Sequence, residues 1–97
     1  MSNIKLFESK HIRTVWNDVE EKWYFVVEDV IAVLTDSIDP KQYIKRMRQR
    51  DFELAKGWVQ FVPTLSVDTL GGKQKMGCAN AQGLLRIIQS IPSPKAS

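Results

Sequence analysis

Alternating apolar and polar residues predict most of the strands in this sequence. Residues 4–7 and 12–16 alternate in this way, and residues 23–27 are aromatic and β-branched, which is the composition of a buried strand. Polar residues beginning at Asn17-Asp18 separate the last two segments and predict a turn between them. We therefore expect a short N-terminal strand followed by an antiparallel hairpin.

A second hairpin is predicted further along the chain. Residues 58–62 are strand-like, and Pro63 then indicates a sheet edge or a bulge. Gly71-Gly72 lies between two alternating segments and predicts a type I′ turn with both glycines at its central positions. On the returning strand, Lys73 and Lys75 should share one face, and the other face should carry Gln74, Met76 and Cys78.

Apolar residues spaced three and four apart predict three helices. The first begins at Glu28-Asp29, where two acids favour a helix N-terminus. The second is capped by Asp39, starts at Pro40 and should break near Arg50-Asp51. The third is capped by Asn80 and ends before two prolines. The predicted apolar faces are Val27, Val30, Ile31 and Leu34 for the first helix, Tyr43, Ile44 and Met47 for the second, and Leu84, Ile87, Ile88 and Ile91 for the third.

Length and composition support one small folded domain. The chain has 97 residues, 43% of them hydrophobic, and a formal net charge of +3. These values suit a single domain with a thin core. The predicted fold is α+β, with a small antiparallel β-sheet or hairpins and about three α-helices packed against it. Residues 1–97 should form this one domain, and the ending SPKAS resembles a cut linker, which suggests truncation at the C-terminal end.

Cysteine and histidine usage argues against a metal site or thiol catalysis. Cys78 and His11 are single residues of their kinds, so no internal disulfide can form and soft metal ligands are too few. Cys78 shares the core-facing side of its predicted strand and should be a buried hydrophobe. No segment has the apolar run of a signal peptide or a membrane span. We therefore expect a cytoplasmic, non-enzymatic protein with no cofactor, no metal and no membrane association.

The most informative chemical pattern is a separation of charge on the second predicted helix. With a period of 3.6, Lys41, Lys45 and Arg48 fall in one stripe with Gln49 beside it, opposite the apolar face. Long cationic side chains meet phosphates, whereas Arg and Gln can read base edges. The candidate phosphate contacts are therefore Lys41, Lys45, Arg48, Lys73 and Lys75, and the candidate base contacts are Gln49 and Arg50. The alternative is a solvated helix face, which is where runs of charge usually belong.

Four stretches of the chain occur in a recognisable order and spacing. They are IRTV at residues 12–15, WYFVVEDVIAVL at residues 23–34, GGKQ at residues 71–74 and NAQGLLRIIQS at residues 80–90. In this order they resemble the Bro-N domain, the N-terminal module of baculovirus Bro proteins, phage antirepressors and bacterial DNA-damage-inducible D-type proteins. The tail IPSPKA is similar to the bacterial branch. The basic helix lies in a part that matches the family only loosely, so its candidate contacts come from the helical projection alone.

The resemblance implies a DNA-binding module of a prophage-type, antirepressor-like transcription regulator that contacts double-stranded DNA. It also implies a further helix after PSPKA, in agreement with truncation. One alternative is a protein-interaction module that captures a repressor or another acidic partner without touching DNA. Another is an enzyme or a nuclease accessory domain. A cationic face without clustered acids would favour DNA, a large exposed apolar patch a protein partner, and a cleft with converging acids an enzyme.

Overall fold

The computed structural model describes residues 12–91, which form four strands and four helices. The predicted strand at residues 4–7, His11 and the two terminal prolines lie outside the described residues. In chain order the elements are β1 (Thr14–Asn17), β2 (Lys22–Val26), α1 (Val27–Thr35), α2 (Pro40–Arg50), α3 (Phe52–Phe61), β3 (Thr64–Thr69), β4 (Gly72–Ala79) and α4 (Ala81–Gln89).

The four strands form one sheet with the order β1-β2-β4-β3, and neighbouring strands run antiparallel. The outer strands β1 and β3 also contact each other, so the sheet is curled. The helices pack against the sheet, and the predicted α+β fold is confirmed. Four helices are present over residues 12–91, one more than expected.

The first predicted hairpin is confirmed as β1 and β2. Asn17 pairs with Lys22 across the hairpin, and the Asn17 Oδ1 atom accepts hydrogen bonds from the backbone N–H groups of Val19 and Glu20, each at 3.0 Å. Trp16 lies opposite Trp23, with the ring centroids 5.3 Å apart in an edge-to-face contact. These two tryptophans therefore pack across the hairpin, as their cross-strand positions favour.

The second hairpin is also present, but its turn differs from the prediction. Thr69 pairs with Gly72, so the two turn residues are Leu70 and Gly71. Of the two glycines, Gly72 alone has a positive φ, at 106°. A glycine of positive φ that follows the turn residues is typical of a turn closed by a G1 bulge. The type I′ turn centred on both glycines was therefore a wrong prediction.

Residues 58–62 were predicted as a strand and belong instead to the end of α3 and the residue after it. Asp51 caps this helix, since its side chain accepts a hydrogen bond from the backbone N–H of Leu54 at 3.0 Å. Leu54 is fully buried and Trp58 packs against the same cluster one helical turn later, whereas Val59 is 81% exposed. The cap and the spacing of buried residues therefore override the strand propensity of the aromatic and β-branched side chains.

The core has two parts. One lies between the helices and the sheet and consists of Val27, Ile31, Ile44, Met47, Leu54, Val62, Ala79 and Ile87. The other lies on the sheet and consists of Tyr24, Val26, Val67 and Cys78. Cys78 is fully buried, as predicted, and burial raises the pKa of its thiol. Two residues predicted on apolar faces are partly exposed instead, namely Leu34 and Ile88.

Candidate nucleic-acid interface

Helix α2 presents its cations to solvent because its opposite face is buried. Pro40 is its first residue, and the Asp39 side chain caps it by accepting from the backbone N–H of Gln42 at 3.2 Å. Ile44 and Met47 are buried in the core. The stripe on the other side, consisting of Lys41, Lys45, Arg48 and the neighbouring Gln49, is exposed.

A contact between α2 and α3 fixes the position of one cation in this stripe. The Arg48 guanidinium carbon lies 4.9 Å from the centroid of the Trp58 ring. At this distance the cation is attracted to the face of the ring. Trp58 is partly buried against the core, so it gives the guanidinium a fixed support. The sequence did not indicate this contact, because residue 58 was predicted in a strand.

The cationic stripe lines a groove between α2 and α3. Its volume is about 490 Å³, and its lining residues are Lys41, Ile44, Lys45, Arg48, Gln49 and Ala55. A second cavity of about 210 Å³ adjoins it and shares Lys41 and Ile44 with it. The other residues that line this second cavity are Val27, Glu28, Trp58, Val62 and Gly77. The structure thus places four of the predicted contacts around one groove, and the second cavity extends that groove towards β4.

The lysines of the second hairpin share a strand face with Gly77, which lines this second cavity. Lys73 and Lys75 are exposed on β4, on the same strand face as Gly77, since side chains alternate along a strand. Lys75 is two residues from Gly77, or about 7 Å along the strand. Lys73 is further away and pairs with Asp68 on β3, so an acid lies directly opposite it. Lys75 is therefore better placed than Lys73 to act together with α2.

Arg50 is not brought to the groove. It lies two residues after Arg48, which on a helix turns its side chain by about 200°. Its guanidinium donates a hydrogen bond to the backbone carbonyl of Ser90 at 3.2 Å, just after the end of α4. Of the two residues predicted to read bases, the structure therefore places Gln49 beside the groove and Arg50 against a different helix.

Asp51 joins α2, α3 and α4, and the sequence suggested only a helix break at this position. Besides capping α3, its carboxylate accepts hydrogen bonds from the Ser90 hydroxyl and from the Arg86 guanidinium. These bonds, that of Ser90 foremost, lower the pKa of Asp51 from 3.8 to about 2. Arg86 thus binds the junction of α2 and α3.

A second ion pair connects the start of β1 with α1. The Arg13 guanidinium donates to both carboxylate oxygens of Asp29, at 2.8 Å each, and its backbone N–H donates to the same carboxylate at 2.9 Å. The hydrogen bonds that the guanidinium donates to Asp29 raise the pKa of Arg13 above its usual value. Glu28, the other acid in the first turn of α1, takes no part in this ion pair.

Over residues 12–91, no three or more His, Cys, Asp or Glu side chains are grouped as metal ligands. Within the same range, no helix has the length and apolar composition needed to cross a membrane.

Comparison with known proteins identifies one family. The family profile described as "BRO family, N-terminal domain" (Bro-N) matches residues 11–97. The matched region includes every element of the structure and the whole groove. No curated protein and no solved structure matches the chain significantly.

Proposed function

The chain belongs to the Bro-N family, and on that premise we propose that it is a DNA-binding module of a prophage-type, antirepressor-like transcription regulator. Its ligand is double-stranded DNA, which it binds through the groove of α2. Binding needs neither catalysis nor a cofactor. Its place of action is the cytoplasm, where prophage DNA is found.

The observation that carries this proposal is the exposed cationic stripe on α2. The helix sequence PKQYIKRMRQR contains five Lys and Arg residues and no acid. Lys41, Lys45 and Arg48 follow one another along the groove, and a row of cations beside a groove is complementary to a row of phosphates. Phosphate contacts of this kind supply much of the affinity of DNA-binding proteins and fix their register on the duplex.

The position of each residue supports a separate role. Lys41, Lys45 and Arg48 contact phosphates, and Arg48 does so with its guanidinium already placed by Trp58. Gln49 borders the same groove. Its amide both donates and accepts hydrogen bonds, so it can recognise a base edge. Lys75 adds a phosphate contact from the hairpin, and Lys73 a weaker one. Arg50 serves the α4 contact rather than a base.

A DNA titration at several salt concentrations tests the proposal. Each phosphate contact contributes about 0.9 to the slope of log K against log salt on B-form DNA, so three to five contacts give a slope of roughly −3 to −4.5. If the chain binds a protein partner instead, it should show no saturable binding to duplex DNA under the same conditions. That result would reject the proposal and favour capture of a repressor or another acidic protein.

A further inference from the structure

Glu28 is an acid beside the cationic stripe of α2, in the cavity that adjoins the groove. It is the only acid among the residues that line the groove and the adjoining cavity. It is partly buried, and within residues 12–91 it takes part in no hydrogen bond and no ion pair. Arg13, which lies close enough to interact with its charge, is bound to Asp29 instead. Its carboxylate oxygens still reach solvent, so a donor on a ligand can bind them in place of water.

The donor supplied by a DNA ligand cannot be a phosphate, because like charges repel. It must be an amino group on a base edge. In the major groove, which is wide enough to admit a helix, cytosine presents the N4 amino group, and carboxylates are the side chains that accept from it. The guanine N2 amino group lies in the minor groove, which is only about 6 Å wide and too narrow for the helix start that carries Glu28. Adenine also presents an amino group, but its N7 acceptor lies beside that group and opposes a carboxylate.

The neighbours of Glu28 favour such a contact. Val27, Ile44 and Trp58 give the cavity apolar walls, and a hydrogen bond is stronger where water is partly excluded. Lys41 lines both the cavity and the groove, so a phosphate held by Lys41 would place the next base near Glu28. The stripe would thus fix the duplex, and the cavity would read one position of it.

We propose that Glu28 is a specificity-determining residue of the DNA surface, and that its carboxylate accepts a hydrogen bond from the N4 amino group of one cytosine in the major groove. This inference rests on the proposed function, since it assigns a base-reading role within the same surface. The helix dipole also favours an acid in the first turn of α1, so stabilisation of the helix is the competing explanation for Glu28.

Glu53 provides a matched control. It is the second residue of α3, as Glu28 is the second residue of α1, and it is an exposed acid that lines neither the groove nor the cavity. Glu28→Gln and Glu53→Gln remove the same charge from the same helix position. Any difference between them in DNA recognition therefore comes from the location of the carboxylate.

The experiment selects sites for the 97-residue chain from a randomised duplex library and then measures affinity for the selected site and for its G·C→A·T variants. We expect the wild type to select a G·C pair at one position and to lose roughly tenfold in affinity when that pair is exchanged. Glu28→Gln should reduce this loss to less than about threefold and bind unselected duplex more tightly. Glu53→Gln should keep the wild-type preference.

A second variant covers the case in which loss of the helix-start charge disturbs the fold. Glu28→Asp keeps the charge but withdraws the carboxylate by one methylene group, so it should lose the G·C preference without the gain in affinity for unselected duplex. If Glu28→Gln tightens binding to all duplexes equally and keeps the preference, Glu28 acts only by repulsion and the inference is wrong. It is also wrong, with the proposed function intact, if the wild type binds DNA without selecting a G·C pair. Absence of any DNA binding overturns both.

Discussion

The guanidinium of Arg48 lies over the ring of Trp58, 4.9 Å from its centroid, and so connects the exposed stripe of α2 with the partly buried side of α3. Trp58 also packs against the core, so the same ring supports the guanidinium and contributes to core packing. A cation held in this way loses less conformational freedom when it binds a phosphate than a free side chain does.

Replacing this guanidinium by an ammonium should weaken the contact and leave the charge unchanged. We expect Arg48→Lys to lower the free energy of unfolding by about 0.5–1 kcal/mol, because Lys lacks the planar group that stacks on the ring. The control is Arg46→Lys, an exposed position of the same helix without a ring contact. Urea unfolding of both variants measures the difference, and equal losses would show that the stacking contributes no stability.

Charge reversal tests the stripe as a whole. Changing Lys41, Lys45 and Arg48 to Glu should greatly weaken DNA binding and preserve the circular dichroism spectrum, because all three side chains are exposed. For a comparison at equal net charge, Lys45→Glu should weaken binding much more than Lys22→Glu on the first hairpin. If these two single variants were equally weakened, the effect would come from net charge and not from the groove.

The carboxylate of Asp51 should make stability depend on pH in the acid range. Its pKa is about 2 in the folded protein, against the usual 3.8 of an aspartate without these contacts. Because the pKa is lower in the folded state, the stability that this carboxylate contributes is fully present above about pH 4 and is lost as the pH falls towards 2. Ser90→Ala removes the hydrogen bond that lowers this pKa most, so it should reduce the dependence of stability on pH between 4 and 2. Thermal unfolding measures this dependence. A curve identical to that of the wild type would show that the Ser90 hydroxyl does not stabilise the carboxylate.

The two glycines of the second hairpin should tolerate alanine very differently. Gly72 has a φ of 106°, whereas a Cβ at that position would have no atom within 4 Å, so backbone conformation alone opposes a side chain there. We expect Gly72→Ala to cost about 1–2 kcal/mol in the free energy of unfolding. Gly71→Ala, whose Cβ would meet only the Thr69 hydroxyl at 4.0 Å, should be nearly neutral. Equal costs at the two positions would contradict the turn found here.

Local signals in the sequence were sufficient for much of this fold. Asp39 and Pro40 predicted the start of α2, and the 3.6-residue period predicted which of its side chains are exposed. Asn80 likewise predicted the cap of α4, where its side chain accepts from the backbone N–H of Gly83 at 3.0 Å. Caps and helical faces involve residues within one turn of each other, so they can be read from short stretches.

The parts that were missed depend on contacts between distant residues. The segment at residues 58–62 has strand propensity, and its helix is stabilised by the burial of Leu54 and Trp58 against other elements. The support of Arg48 by Trp58 depends on that helix. The location of Glu28 in the cavity depends on how α1, α2 and β4 meet. A helical projection places residues around one helix and contains no information on which residues of neighbouring elements contact that helix.

The hairpin lysines offer the last test of the proposed DNA surface, and the structure distinguishes between them. Lys75 lies about 7 Å along β4 from Gly77, which lines the cavity beside α2, whereas Lys73 is two residues further out. Lys73 also pairs with Asp68, whose charge opposes an approaching phosphate. Lys75→Ala should therefore reduce the salt slope of DNA binding by about 0.9, and Lys73→Ala should reduce it less. Both side chains are exposed, so stability should change by no more than about 0.5 kcal/mol in either variant. An unchanged slope in the double variant would remove this hairpin from the binding surface and leave α2 as the phosphate-binding element.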